Sequence, residues 1–348
     1  MDKKLSFLVI LCLICALLCA CGSASPQPEP TPVPTPEPTP APTYDPAPPL
    51  CDITVTIDGR ELPACYGTRD GIYVRLADWE ALGGLAQPDS ESVFDGTDRY
   101  LPLKALTEGL TELEDEENSH LYYTRIPDVS CIPEGIKIPV LMYHAVSDDC
   151  WGIRELFVSP SEMEKQLQYL SDNGYTTITF EDLPNVADIE KPVMLTFDDG
   201  YLDNYDELFP LLQKYNAKAT VFVISDTVYS EHYLKEAHIK EMSDSGLVSI
   251  QSHTKTHPHL SELGEEDTVT ELAASRLRIA QLTGREPFVL CYPYGSNSDL
   301  TREVAAKYYS FGILMNGGQW VTGGDLFAVP RCYISRDTYI GSFAAMLN

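Results

Sequence analysis

Two adjacent carboxylates, Asp198 and Asp199, follow an apolar segment at residues 193–197 and precede Gly200. A short apolar segment of this kind is typical of a buried strand. Neighbouring carboxylates repel each other, so a buried pair needs a cation or a proton to stabilise it. The pair therefore indicates one of two structures: a hydrolytic centre, in which one carboxylate binds a metal and the other stays free, or a solvated Asp-Asp-Gly turn.

A second group of candidate ligands contains two histidines, His253 and His257, which are followed by Pro258. In a helical turn the spacing of four residues would place both imidazoles on one face, an arrangement that binds metals. A histidine pair alone is more often a surface feature. Together with one carboxylate of the Asp pair, the two histidines predict a three-ligand metal site with positions left for water.

Strands and helices alternate from Ile138 to the end of the chain, which predicts parallel strands with outer helices in a barrel or an open sheet. Strands are expected at residues 140–143, 176–180, 193–197, 219–224, 247–251, 288–292, 311–315 and 328–331. Helices are expected from residue 160 to about 172 and near 208–215, 233–243 and 267–282.

The polar residues of interest follow four of these strands: His144, the Asp198-Asp199 pair, His253, and the segment Pro293-Tyr294-Gly295. In barrels of parallel strands, the carboxyl ends of the strands converge on one face, which carries the active site. Convergence from four strands is stronger evidence for a catalytic site than any one motif.

The amino-terminal region predicts export. Residues 1–20 combine Lys3 and Lys4 with an apolar run that is typical of a signal peptide. The end of this run resembles a bacterial lipoprotein cleavage box, which implies that Cys21 is lipidated and anchors the protein to the outer face of the cell membrane, towards the cell wall. An uncleaved membrane anchor is the alternative. Residues 23–50 are rich in Pro, Ala, Thr, Ser and Glu, and predict an extended linker that cannot form a core.

Residues 51–125 predict a small β-rich α+β domain, which a linker at residues 126–137 separates from the larger one. Residues 53–57 alternate like a strand, and the Asp58-Gly59 turn follows. Two later segments, 71–83 and 99–110, each have the pattern of a strand followed by a short helix. The domain resembles the stalk-like module named after the copper amine oxidase N-terminus, and we expect it to act as a spacer or a wall contact.

The charge balance excludes one class of partner. The 348 residues include 24 Lys and Arg but 52 Asp and Glu, which gives a formal net charge of −28. Phosphate binding needs clustered basic side chains, so we expect no nucleic acid partner. We expect a monomeric protein with an acidic, soluble surface.

Three successive motifs carry a specific resemblance: Thr196-Phe197-Asp198-Asp199-Gly200, Ser252-His253-Thr254-x-x-His257-Pro258 and Tyr292-Pro293-Tyr294-Gly295. In order and separation they resemble the motifs of the NodB-homology polysaccharide deacetylases. The resemblance covers about residues 138–335 and implies a catalytic domain at 138–348 with a distorted (β/α) barrel. It further implies removal of N- or O-acetyl groups from polysaccharides with a divalent metal, most often Zn²⁺, with Co²⁺, Ni²⁺ or Fe²⁺ as alternatives.

Carried over residue by residue, the resemblance assigns Asp199, His253 and His257 as metal ligands and Asp198 as the base that deprotonates the metal-bound water. The backbone N–H of Tyr294, which follows Pro293, would stabilise the oxyanion.

The chain departs from the family pattern in two places. Cys291 occupies the position of an Arg that orients the base, and no His follows His259 to act as the usual late general acid. The segment Leu141-Met142-Tyr143-His144 resembles the opening motif of the poly-N-acetylglucosamine deacetylases, which implies that His144 is the general acid. A buried structural histidine is the alternative. We expect Arg331 to orient Asp198, and Trp320 either to face the acetyl methyl group or to lie in the core.

Six cysteines remain beyond the signal peptide and Cys21, and the sequence leaves their pairing open. Proximity favours the pairs Cys51–Cys65, Cys131–Cys150 and Cys291–Cys332. Together, these observations predict a metal-dependent N-deacetylase of an extracellular N-acetylglucosamine polymer, either peptidoglycan or a β-1,6-linked exopolysaccharide. An O-acetyl esterase of xylan-like glycans and an inactive wall-binding protein are the alternatives.

Overall fold

The computed structural model describes residues 48, 50–58, 60–68, 71–82, 92–95, 97–115 and 118–347. The predicted signal peptide, the lipidation site Cys21 and nearly all of the Pro-rich segment lie outside the described residues, as do Gly59 and Gly83. Among the helices that the structure describes, none has both the length and the apolar composition needed to cross a membrane.

The region expected to form a small domain contains two four-stranded sheets with the strand orders β2-β1-β8-β7 and β3-β4-β6-β5. Its elements are β1 (Thr54–Ile57), β2 (Arg60–Glu61), β3 (Tyr66–Thr68), β4 (Gly71–Arg75), α1 (Leu76–Ala81), β5 (Val93–Phe94), β6 (Arg99–Pro102), α2 (Leu103–Leu106), β7 (Thr111–Asp115) and β8 (His120–Thr124). Each of the two predicted strand–helix segments forms such a pair, β4 with α1 and β6 with α2. Alternate residues of β1 are buried, as expected for a strand with one face on a core.

The larger domain is a closed barrel of seven parallel strands in the order β10-β20-β18-β17-β16-β15-β14, with β14 pairing back to β10 and β13 added outside β14. This confirms the (β/α) barrel. Its strands are β9 (Lys137–Ile138), β10 (Val140–Tyr143), β11 (Ala145–Val146), β12 (Phe157–Val158), β13 (Thr176–Ile178), β14 (Pro192–Phe197), β15 (Ala219–Val223), β16 (Val248–Ser252), β17 (Val289–Cys291), β18 (Phe311–Gly317), β19 (Trp320–Val321) and β20 (Val329–Tyr333). Its α-helices are α3 (Pro160–Asp172), α4 (Phe209–Tyr215), α5 (Glu236–Asp244), α6 (Glu265–Thr283), α7 (Asp299–Ala305) and α8 (Ile340–Met346), of which α7 and α8 are not predicted from the sequence.

Side chains alternate between two cores along the barrel strands. In β14, Val193, Leu195 and Phe197 pack under the surrounding helices, whereas Met194 belongs to the cluster that fills the barrel. Because both faces are covered, the strands are continuous apolar runs, as in other parallel sheets. All six residues of β14 are buried, and the strand therefore presents Asp198 from a rigid support.

Trp320 lies at the end of the barrel away from these carboxylates. It pairs with Ile138, which precedes β10, whereas His144 follows the other end of β10. The ring is 2% exposed and packs with the apolar side chains inside the barrel, including Phe311 at a centroid distance of 6.1 Å. This corrects the expectation that Trp320 faces the acetyl methyl group: it is a core residue.

All six cysteines beyond Cys21 are free thiols, which corrects the three predicted disulfides. Cys291 and Cys332 lie on β17 and β20, which are separated by β18, and Cys332 packs on the outer core whereas Cys291 faces the inside. Cys51 and Cys65 are adjacent through a backbone hydrogen bond of 3.0 Å, but their sulfur atoms are not bonded.

Candidate active site

A bidentate ion pair lies at the carboxyl end of the barrel. Asp198 directly follows β14 and its two carboxylate oxygens accept hydrogen bonds of 2.7 and 2.7 Å from Nη1 and Nη2 of Arg331, on β20. Arg331 is itself fixed, since its Nε donates to the Leu314 carbonyl at 2.7 Å and its Nη1 donates to Thr196 at 3.0 Å. Both partners are almost fully buried. The planar guanidinium therefore determines the orientation of the Asp198 carboxylate.

This pairing also determines the charge of Asp198. Burial alone would raise the pKa of the carboxyl, but the charge and the hydrogen bonds of Arg331 lower the pKa below its ordinary value. Asp198 is therefore ionised at neutral pH.

His144 lies close to the same carboxylate. Its Nε2 is 3.9 Å from Oδ2 of Asp198, and its side chain is buried. Asn204 fixes the backbone here by donating a 2.9 Å hydrogen bond to the His144 carbonyl. Burial lowers the pKa of His144, although Asp198 and Asp199 partly oppose this shift, so the imidazole is neutral near pH 7.

Asp199 points away from this pair, towards the two histidines. Its backbone has a positive φ of 73°, a conformation that non-glycine residues rarely adopt. Its Oδ1 lies 3.4 Å from Nε2 of His253 and 3.5 Å from Nε2 of His257. One ligand atom from each of the three residues lies within 4.8 Å of the others. Both adjacent carboxylates are therefore buried, but they face different partners.

The two imidazoles are suited to binding a metal. Nδ1 of His253 is 2.8 Å from the carbonyl of Cys291, which favours a proton on Nδ1 and a lone pair on Nε2. Burial and the neighbouring His253 lower the pKa of His257 to about 4, so this ring is neutral at pH 7. Two imidazole nitrogens and one carboxylate oxygen match the donor set of catalytic zinc sites.

The loop that carries these histidines is not a helical turn, which corrects one expectation. Thr254 and His257 both have positive φ, of 67° and 66°. Glu271, on α6, accepts hydrogen bonds from the backbone N–H groups of Lys255 and Thr256 at 2.9 and 2.8 Å. The carboxylate of Glu271 thus stabilises a tight turn that brings the two histidines together without a helix.

A cavity of about 410 Å³ opens beside His144. It is lined by Met142, His144, Leu156, Tyr294, Gly295, Leu314, Met315, Asn316 and Tyr333. Tyr294 is 54% exposed, has a positive φ of 59° and stacks on His259 at a centroid distance of 4.1 Å. Its neighbour Pro293 is buried. The cavity is large enough for one sugar residue and is mostly apolar.

Comparison with known proteins assigns the chain to a family. Residues 185–309 match the polysaccharide deacetylase family model. The chain is 33% identical over 222 residues to YxkH, a polysaccharide deacetylase family protein of Bacillus subtilis, and the match covers 61% of this chain and 76% of that protein. The chain belongs to the polysaccharide deacetylase family. The matched segment contains Asp198, Asp199, His253, His257 and Tyr294, whereas His144 and Arg331 lie outside it.

Two further similarities extend this assignment. A polysaccharide deacetylase structure from Bacillus cereus has a TM-score of 0.60 and 33% identity to this deacetylase, and the match covers 74% of this chain and 84% of the other. The chain is also 24% identical over 245 residues to the poly-β-1,6-N-acetyl-D-glucosamine N-deacetylase of Staphylococcus epidermidis, covering 65% of this chain and 85% of that enzyme. The fold and the enzyme class of this deacetylase are therefore both established.

Two residues of the site are missed by sequence reasoning. Tyr201 lies near Asp199, where it adds to the effect of His253 in lowering the pKa of that carboxyl against the effect of burial; its position directly after Gly200 could have suggested this. The Cys291 thiol lies 3.2 Å from Nη2 of Arg331 and is fully buried. Cys291 therefore occupies the space beside the ion pair, and the guanidinium of this deacetylase comes from β20.

The buried carboxyl of Asp203 should make the free energy of unfolding depend on pH. Its Oδ1 accepts hydrogen bonds from the Val146 N–H at 2.9 Å and from Asn204 at 3.0 Å, yet burial raises its pKa to about 6. Between the ordinary pKa and about 6, the native state binds more protons than the unfolded state, so this group lowers the free energy of unfolding as pH rises. Asp203→Asn should remove this dependence, which amounts to at most about 3 kcal/mol.

Urea unfolding of the deacetylase and of Asp203→Asn at pH 4 and pH 7 measures this effect. Asp325→Asn, at an exposed ion pair with Arg302, is the control and should keep the pH dependence of the parent. An equal pH dependence in Asp203→Asn and the parent would contradict the prediction.

Proposed function

We propose that the protein removes N-acetyl groups from an extracellular polysaccharide that contains N-acetylglucosamine, either peptidoglycan or poly-β-1,6-N-acetylglucosamine. One observation carries the proposal: the carboxylate that Arg331 holds ionised lies near His144, which lines a sugar-sized cavity, and directly precedes Asp199 of the Asp199, His253 and His257 triad. The named activity of the staphylococcal relative supports this substrate class.

The donor chemistry of Asp199, His253 and His257 fits a divalent cation, and Zn²⁺ suits two imidazoles and a carboxylate best. When bound, such a cation acts as a Lewis acid on a carbonyl oxygen and lowers the pKa of water. Co²⁺, Ni²⁺ and Fe²⁺ accept the same ligands. The Cys291 carbonyl, which fixes the His253 ring, would orient this ligand.

The remaining residues supply proton transfer and orientation. Asp198, held ionised by Arg331, accepts a proton from the water that attacks the acetyl carbon. His144, neutral at rest and 3.9 Å from Asp198, takes up the proton that Asp198 has accepted and delivers it to the amine nitrogen as the carbon–nitrogen bond breaks. The products are acetate and a free amine. The backbone N–H of Tyr294 stabilises the negative charge on the carbonyl oxygen.

Acetate release tests the substrate. The purified zinc-loaded protein is incubated with β-1,6-linked N-acetylglucosamine oligomers, peptidoglycan and acetylxylan. We expect acetate from one or both of the N-acetylated substrates and none from acetylxylan. Release from acetylxylan alone would support an O-acetyl esterase instead, and no release from any of the three, with bound metal measured, would overturn the proposal.

Metal removal should abolish the activity. Dialysis against a chelator should reduce acetate release to background, and Zn²⁺ or Co²⁺ should restore it. His257→Ala should lower metal affinity by about 10- to 100-fold or more, because one of three ligands is lost. Elemental analysis measures the metal content, with His238→Ala, on the surface helix α5, as a control that keeps the metal. Full activity in the chelated protein would refute metal dependence.

His144→Ala tests the general acid. We expect kcat to fall by about 10²-fold or more with metal content unchanged, because the amine then leaves without a proton donor. His144→Gln, which keeps a polar side chain of similar size, should be equally slow. A rate within a few-fold of the parent would contradict the assignment of His144.

We further propose that the protein is anchored through lipid on Cys21 and faces the cell wall. The apolar run that ends at Cys21 and the Pro-rich segment after it support this location. Cys21→Ser should move the protein from the membrane fraction to the soluble fraction, and an unchanged membrane fraction would exclude the lipid anchor.

A further inference from the structure

An exposed aromatic stack lies beside the active site and is not used in the proposed chemistry. Trp151 stacks on His232 at a centroid distance of 4.4 Å, with the ring planes 12° apart. Trp151 is 36% exposed, and the His232 side chain is 44% exposed. The indole also makes T-shaped contacts with the rings of Phe157 and Tyr201, at centroid distances of 5.1 Å and 4.8 Å, which hold it in place. The indole is therefore held in one orientation while part of its surface is open to solvent.

His232 is held in a strained conformation to form this stack. Its φ is 68°, a value that non-glycine residues rarely adopt, and its carbonyl accepts a 2.7 Å hydrogen bond from the Leu202 N–H. Such strain costs free energy and is found mainly at functional sites. The strained backbone supports the interpretation that the stack has a binding role.

The stack is connected to the proposed metal site by one side chain. Tyr201 contacts Trp151 with its ring and follows Asp199 by two positions in the sequence. The loop that carries Trp151 also carries Leu156, which lines the cavity beside His144. The exposed indole is therefore linked to the cavity through the loop that carries Leu156, and to the segment of Asp199 through Tyr201.

We infer that the Trp151–His232 stack is a sugar-binding subsite, which takes a pyranose ring next to the residue that is deacetylated. The inference rests on the proposed N-acetylglucosamine polymer as substrate. A polysaccharide extends beyond the sugar at the reaction centre, and the apolar face of a pyranose packs well on a flat indole. Exposed aromatic surface that continues a ligand cavity marks a binding groove. Tyr294, which lines the cavity, forms a second exposed aromatic stack on His259, so the chain of sugars would contact both stacks.

The dependence of KM on substrate length tests this subsite. For a β-1,6-linked N-acetylglucosamine pentamer, Trp151→Ala should raise KM about tenfold with kcat nearly unchanged, and for the dimer both constants should stay near those of the parent. Trp151→Phe should restore much of the loss. Ile153→Ala is the matched control: Ile153 lies in the same loop and is 69% exposed, and this variant should behave like the parent with both substrates.

Binding can be measured without turnover, which separates this inference from the proposed function. Of the three tryptophans, Trp320 is buried and Trp79 lies in the small domain, so a blue shift of tryptophan fluorescence on adding the pentamer would report Trp151. The shift should be absent in Trp151→Ala and present in Ile153→Ala. An equal loss of kcat with dimer and pentamer would assign Trp151 only a structural role in supporting Tyr201 and would overturn the subsite. Unchanged pentamer affinity in Trp151→Ala would also overturn it. No acetate release from any oligomer by the parent, with the fluorescence shift present, would overturn the proposed function but keep the subsite.

Discussion

Replacing Asp198 by Asn should reduce kcat for acetate release by about 10²- to 10⁴-fold and leave the metal content unchanged. The amide keeps the size of the carboxylate but cannot accept the proton of the attacking water. Asp198 faces Arg331 and His144, whereas Asp199 faces the two histidines. The two adjacent carboxylates should therefore give different results: Asp199→Asn loses both metal and activity. Acetate assays together with elemental analysis of each purified variant measure both quantities.

The control for Asp198→Asn is Asp244→Asn, at an exposed ion pair with Lys240 on α5, which should keep the parent's rate and metal content. Loss of metal in Asp198→Asn would contradict the assignment. A second group of donors, Asp198, His253 and Cys291, also lies within 4.8 Å, and metal loss would favour that group. The structure argues against it, because the Arg331 guanidinium contacts both Asp198 and Cys291 and its charge would repel a cation there.

The barrel strands were predictable because local pattern determines them. β14 and β15 are short apolar runs between helical segments, and parallel strands buried on both faces require such runs. Closure was not predictable from the pattern, since an open sheet has the same alternation. It depends on the pairing of β10 with β14 and β20, which are distant in the sequence. Helix α7 was not predicted, although α4, which is also seven residues long, was.

The positions of the site residues could be predicted where a single motif contains them. They could not be predicted as well where the site depends on contacts between segments that are distant in the sequence. The strand-end position of Asp198 and His253 follows from the strand pattern, and the structure places both at the same end of the barrel. The turn at Thr254 depends on Glu271, from a helix later in the chain, which the histidine spacing does not reveal. Trp320 was misplaced for the same reason, because its depth in the barrel depends on pairing with Ile138.

Replacing Arg331 by Met should reduce both activity and stability. The change leaves the buried Asp198 carboxylate without its partner, and breaking a buried ion pair in this way costs about 3–5 kcal/mol of unfolding free energy. Burial then dominates and raises the pKa of Asp198, so a larger fraction of the base is protonated. We expect kcat to fall by about 10²-fold or more at pH 7 and the acid limb of the pH–rate profile to move to higher pH. Urea unfolding and kcat/KM between pH 4 and pH 9 measure the two effects.

A double-variant cycle shows whether the loss comes from the pair itself. Asp198→Asn combined with Arg331→Met should recover part of the stability that Arg331→Met loses, because no buried charge is left unpaired. Arg302→Met, at the exposed ion pair with Asp325, should cost less than about 1 kcal/mol and leave the pH–rate profile unchanged. Additive stability losses in the double variant, or an acid limb that does not move in Arg331→Met, would mean that Arg331 supports the barrel wall alone. A shifted acid limb together with recovered stability would show that Arg331 holds the base ionised and in one orientation. Arg331 does so although it lies 133 positions after Asp198 in the sequence.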